Sequence, residues 1–119
     1  MSTPREILAT AKRNDGGFFK AFEFGNLCIS IQASHNHYCS PRIDLEELLN
    51  YDSLELAILE NINGARVFIN PHTDSRFNQT KWVERFETGL TNPVAGFVPI
   101  IEVEQIIADV QKAGNSMMS

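Results

Sequence analysis

Apolar and polar positions alternate through Phe18-Phe19-Lys20-Ala21-Phe22-Glu23-Phe24 and again through Leu27-Cys28-Ile29-Ser30-Ile31-Gln32-Ala33, with Gly25-Asn26 between them. Two runs of strand period around a two-residue turn predict a β-hairpin. In that register Phe24 faces Leu27, Phe22 faces Ile29 and Phe18 faces Ala33, all on one buried side. Glu23, Cys28, Ser30 and Gln32 share the other side. A one-residue slip would split the apolar set between the two faces, so the pattern fixes the pairing. Lys20 is the one misfit on the buried face. A second hairpin follows. Leu54, Leu56 and Ile58 alternate with Glu55, Ala57 and Leu59, Asn63-Gly64 makes the turn, and Arg66 to Ile69 returns before Pro71 stops the strand.

Helical period appears at both ends of the chain. Thr3-Pro4-Arg5-Glu6 combines a cap, a first-turn proline and a capping-box glutamate, and predicts a helix over 4–14 that Gly16-Gly17 terminates. Asp44 starts one short helical turn in DLEELLNY. Trp82, Val83 and Phe86 share a helical face within 80–88, which Gly89 closes. VAGFV reads as a short strand. After Pro99, a helix carries Val103, Ile106, Ile107 and Val110 on one side and stops at Gly114. The fold class is α+β, with an antiparallel sheet of two hairpins plus a short strand and helices packed on one face. A single domain spans 1–114, and 115–119 is a disordered tail.

The chain of 119 residues has the size of one domain, and its 43% hydrophobic and 21% charged residues are those of an ordinary globular protein. No apolar run reaches the roughly 20 residues that span a bilayer. The charged N-terminal stretch does not read as a secretion signal, which points to the cytoplasm. The net charge is −5, and between Arg42 and Arg66 there is no basic residue while Asp44, Glu46, Glu47, Asp52, Glu55 and Glu60 are all acidic. Such a surface repels phosphate backbones, so direct nucleic-acid binding is not expected, and it suits a protein partner with a basic surface. The competing explanation is a merely solvated face. The sequence also leaves open a homodimer through an exposed strand edge.

The candidate chemistry sits in SHNHYCSPR, residues 34–42. If the second strand continued to Cys39, then His35, His37 and Cys39 would share a face, as zinc ligands do, with His72 or Asp74 as a fourth. The H-x-H-x-C spacing lacks the ligand pairs of structural sites, and a Cys39 nucleophile needs a base that sequence cannot place. Accordingly no catalytic residue, metal ligand or cofactor is assigned. The plainer reading is a loop leaving the sheet, in which Pro41 ends the strand, Tyr38 packs, and Asn36, Ser40 and Arg42 satisfy loop backbone or solvent. The alternative is a binding loop that presents His35, His37, Tyr38 and Arg42 as a contact surface. With Asp44, Glu46, Glu47 and Asp52, these are the candidate partner-binding residues.

SIQASHNHYCSPR, YDSLELAIL and PVAGFVPIIEVEQII, in that order, resemble small proteins encoded by bacteriophages and prophages. The resemblance implies a compact accessory protein that binds and inhibits a bacterial host defence complex, in the manner of anti-CRISPR proteins. It implies no catalytic residue. Two other functions remain in view. One is a small-molecule or nucleotide-sequestering protein using His35, His37, Tyr38, Arg42 and Arg76. The other is a small metal-dependent hydrolase built on His35, His37, Cys39 and His72.

Overall fold

The computed structural model describes residues 3–89 and 91–116. Helix α1 (Pro4–Ala9) starts at Thr3, whose hydroxyl accepts the Glu6 N–H while the Glu6 carboxylate accepts the Thr3 N–H. It ends at Thr10, well before Gly16-Gly17. Ile7, Leu8 and Ala11 are buried, no apolar residue follows before Phe18, and Arg13 enters a bridge with Phe19.

Five strands form one antiparallel sheet: β1 (Phe22–Phe24), β2 (Leu27–Gln32), β3 (Ser53–Ile62), β4 (Ala65–Phe68) and β5 (Ala95–Pro99). The first hairpin has the predicted register, Phe22 opposite Ile29 and Phe24 opposite Leu27. Ten-residue β3 is the centre of the sheet. One edge pairs with β2; the other is shared, β5 along its first half and β4 along its second. The β3–β4 turn is Asn63-Gly64, both left-handed at φ 52 and 85, which is the hairpin-turn geometry that these two residues tolerate.

The pairing does not extend back to Phe18. Both backbone groups of Phe19 are taken by the Gln32 side chain, N–H to Oε1 at 2.8 Å and Nε2–H to the carbonyl at 2.6 Å. Phe19 is therefore drawn inside at 2% exposure, and Phe18 stands outside at 52%. The second face of β2 is also less polar in its surroundings than expected. Cys28 is fully buried and Gln32 nearly so, beside an ion pair between Glu23 and Arg66.

Helix α2 (Ile100–Ser116) lies against β1, β2, β3 and β5. Val103, Ile106, Ile107 and Val110 are fully buried in one cluster with Leu27, Ile29, Ile31, Leu54, Leu56 and Ile58. Burying such side chains contributes about 1.5–3 kcal/mol each. Phe22 and Phe24 are only partly buried against that cluster. The stretch 80–88 makes a 3-10 turn (Lys81–Arg85) rather than an α-helix, because Thr80 supplies no side-chain cap and Phe86 turns away to bridge Ala95. The turn is tied to α2 by Trp82 Nε1–H donating to Asp109 and by Arg85 paired with Glu102. The residue at the start of the other predicted turn is also displaced: a 3-10 turn forms at Leu48–Asn50, after Glu47, and not from Asp44.

Gly114 does not end α2, which continues to Ser116; the rest of the predicted tail, 117–119, lies outside the described residues. Its lack of a side chain serves packing instead. A Cβ there would run into the Phe24 backbone carbonyl. Gly114→Ala should therefore destabilise the fold by about 1–3 kcal/mol through overpacking, although helix propensity alone favours alanine by about 1 kcal/mol. Denaturant unfolding decides the sign.

Candidate functional site

The loop between β2 and β3 is held mostly by side chains bonded to its main chain. Ser34 starts it: its Oγ accepts the Asn36 N–H at 3.0 Å and lies 2.6 Å from His37 Nδ1. His35 is held by Asp44, which accepts both the His35 backbone N–H at 3.0 Å and Nδ1–H at 2.9 Å. These bonds, the side-chain one foremost, hold the Asp44 carboxyl below its ordinary value of 3.8. Tyr38 donates its N–H to Glu55 at 2.8 Å, and its carbonyl accepts the Phe97 N–H at 2.8 Å. Ser40 pairs with Ser53 just before a cis bond to Pro41.

Two buried groups anchor the loop from below. The Cys39 thiol donates to the carbonyls of Ser34 and Pro41 at 3.3 and 3.4 Å. Burial pushes it up from its ordinary value, away from the thiolate. The Tyr51 hydroxyl accepts Arg13 at 2.9 Å and the Leu45 N–H at 2.7 Å, and donates to the Ile43 carbonyl at 2.5 Å. Arg13 also reaches the carbonyls of Leu45 and Gly17.

The exposed result is a ridge. Phe18 meets His37 edge-on at 5.7 Å between ring centroids. Arg42 donates to the His37 carbonyl at 3.1 Å and its guanidinium lies 5.6 Å over the Tyr38 ring. Tyr38 in turn packs on Phe97 at 5.9 Å. Phe97 owes its position to a break in the β3–β5 pairing. Leu54 pairs with Val98 and Leu56 with Ala95, so two steps on β3 face three on β5. The extra residue puts Phe97 at φ 53, a conformation that bulky side chains rarely adopt. Gly96 permits the crossing, since a Cβ there would lie 2.9 Å from the Tyr38 Cβ.

Of the candidate partner-binding residues, His37, Tyr38 and Arg42 belong to this ridge. His35, Asp44 and Glu46 instead line a neighbouring cleft of about 230 Å³ with Arg13, Phe18 and His37. Glu47 and Asp52 are exposed elsewhere on the loop; the Asp52 carbonyl accepts the Ile100 N–H at the start of α2. The acidic segment is only half available. Asp44 is engaged by His35, Glu55 by Tyr38 and Glu60 by Arg76. Among the described residues, the carboxylates of Glu46, Glu47 and Asp52 have no side-chain partner.

Cys39, His72 and Arg76, which the other two functions also need, do not line the histidine cleft. Cys39 is sealed under the loop, and His72 bonds the Phe86 carbonyl at 2.8 Å. Arg76 pairs with Asp74 and Glu60, which raises its already high pKa. Ser34 touches His37 while Asp44 holds His35, so serine, histidine and carboxylate do not form one relay. No three His, Cys, Asp or Glu side chains gather as metal ligands among the described residues. The histidine-lined cleft also falls short of the roughly 300–1,000 Å³ of ligand pockets. No protein-family model, curated protein or solved structure matches the chain.

Phe18 and Phe97 were not among the candidate residues. Strand alternation extended back to Phe18 places it in the core, and Phe97 looks like one more strand residue in VAGFV. The signal available was the neighbouring Gly96, which marks a bulge inside a strand.

Removing the Tyr51 hydroxyl tests how the ridge is held. Tyr51→Phe keeps the buried ring but leaves the Leu45 N–H and the Ile43 carbonyl without that partner, at a cost of about 1–3 kcal/mol. Hydrogen exchange at Leu45 should accelerate by more than the global loss of stability accounts for.

Proposed function

We propose that this chain is a non-enzymatic interaction protein whose contact surface is the ridge from Phe18 through His37, Arg42 and Tyr38 to Phe97. One observation carries the reading: a bulky residue, Phe97, is held in a left-handed backbone conformation with its ring at the surface, beside a half-exposed tyrosine. Such strain costs of order 1–3 kcal/mol, persists only where the surrounding structure imposes it, and clusters at functional sites. Aromatic and arginine side chains are also the usual anchors of protein interfaces.

The free carboxylates of Glu46, Glu47 and Asp52 add a charge preference to this surface, and a partner with a basic face is the complementary one. The phage-protein resemblance in SIQASHNHYCSPR and PVAGFVPIIEVEQII suggests the class of partner, a component of a bacterial defence complex that the bound chain would inhibit. Occlusion by a rigid ridge needs no catalysis and no cofactor. A small-molecule site draws less support, because Arg76 is paired with Asp74 and Glu60 and does not line the histidine cleft, and that cleft is small.

The decisive variant is Phe97→Gly. Glycine takes φ 53 without strain, so stability should change by less than about 1 kcal/mol while binding weakens by about 2 kcal/mol or more, as for an interface anchor. Affinity capture from host lysate with parent and variant baits, followed by binding measurements on the protein that differs, gives the result. Equal binding by both would overturn the assignment of the ridge.

Charge reversal separates steering from contact. Glu46→Lys with Glu47→Lys should slow association at 0.1 M salt, where the screening length is about 10 Å, and have little effect at 1 M, where it is about 3 Å. Stability should be nearly unchanged, since exposed charges contribute little. Matching association rates at both salts would mean that these carboxylates are only solvated.

A further inference from the structure

The outer edge of β4 is open. β5 is covered on its outer side by Phe86 and by the Glu87 N–H bonded to the Val94 carbonyl, and β1 is three residues long. Among the described residues no strand meets the outer edge of β4. Edges are usually guarded by short length, proline, a bulge, a covering segment or an outward charge; β4 has four residues, and the Ile69 N–H bond to the Ile58 carbonyl carries its ladder one residue further. β4 contains no proline and its pairing with β3 runs without a break. Its one charge, Arg66, reaches back over the sheet to Glu23 at 3.3 Å.

The backbone alternation says which groups are available. The Ile69 N–H donates to the Ile58 carbonyl at 2.9 Å, and the turn pairs Ile62 with Ala65. Hydrogen-bonded pairs alternate in an antiparallel ladder, so Ala65, Val67 and Ile69 direct their backbone groups to β3. Arg66 and Phe68 direct theirs outward. On the side chains, Ile62 and Val67 fall on one face by register and are 49% and 45% exposed. They are diagonal neighbours across the hairpin, and each is larger than solvation needs.

We infer that this edge is a self-association surface, on which a second copy of the chain pairs its own β4 antiparallel about a two-fold axis at Val67. In that register Arg66 and Phe68 of one copy exchange backbone hydrogen bonds with Phe68 and Arg66 of the other. Val67 meets Val67 in a non-hydrogen-bonded pair, where side chains approach most closely. Arg66 lies opposite Phe68 of the second copy. The other two-fold registers are poorer. An axis at Arg66 sets like charges face to face, and an axis at Phe68 calls on Asn70, past the end of the strand at Phe68. The registered dimer joins two five-stranded sheets into one, with both α2 helices on the same side.

Sedimentation equilibrium of the full chain over micromolar to millimolar concentration should show a monomer–dimer equilibrium. Val67→Lys and Val67→Glu, at a half-exposed position, should each weaken it by at least about tenfold without lowering the unfolding midpoint appreciably. An equimolar mixture of the two variants should restore dimer, as a heterodimer. As an independent measurement, Val67→Cys should form a covalent dimer under mild oxidant while Ala65→Cys should not, both native cysteines being buried. A parent chain that stays monomeric throughout would overturn the inference. So would a dimer indifferent to charge at Val67, or a mixture that fails to associate.

Discussion

The phenolic oxygen of Tyr51 is the point from which the surface loop is suspended. It is a single hydroxyl with one proton and two lone pairs, and all three are used: two bonds accepted, from Arg13 and Leu45, and one donated, to Ile43. Those partners come from the segment after α1 and from the loop itself, so one buried atom fixes the distance between them. A loop of this length would otherwise lose far more conformational entropy on ordering than its few apolar contacts return. Gln32 performs the matching service on the other flank, where its amide stands in for the strand that would have paired with Phe19. Both devices are polar, buried and fully satisfied, which is the condition under which such groups specify a single arrangement.

Electrostatics play a smaller part than the net charge suggests. Half of the acidic segment is spent on bonds within the chain, to His35, to the Tyr38 N–H and to Arg76. What remains free is a short stretch around Glu46 and Glu47, with Asp52 at the foot of α2. A partner drawn by these charges must still make its affinity elsewhere, and the aromatic ridge beside them is the apolar surface best placed to supply it.

Much of the fold was legible because period and turn chemistry agreed. Gly25-Asn26 with alternating Phe22, Phe24, Leu27, Ile29 and Ile31 left one register, and the structure has it. Asn63-Gly64 and the Val103–Val110 stripe were equally plain. Failures came where a side chain replaced backbone pairing or where a glycine served packing. Nothing local announces that Gln32 will clamp Phe19, or that Gly114 is small because Phe24 crosses it. The site was half legible. Tyr38 and Arg42 were recognisable as loop residues of the kind that bind, but Phe97 reaches them only through a bulge whose cause, the sharing of one edge of β3 by two strands, is a property of the whole sheet.

The ridge is mounted on the main chain. Tyr38 is held through its N–H and its carbonyl, Arg42 hangs from the carbonyl of His37, and Phe97 is aimed by its own backbone. Only Arg42, through its guanidinium, and His37, whose Nδ1 lies 2.6 Å from Ser34 Oγ, are attached by the side chain that is displayed. The displayed groups can therefore be exchanged one by one while the mount stays the same. A molecule built this way can change what it recognises at the rate of single substitutions, without passing through unfolded intermediates in its history, and so can keep pace with a partner whose own surface is changing.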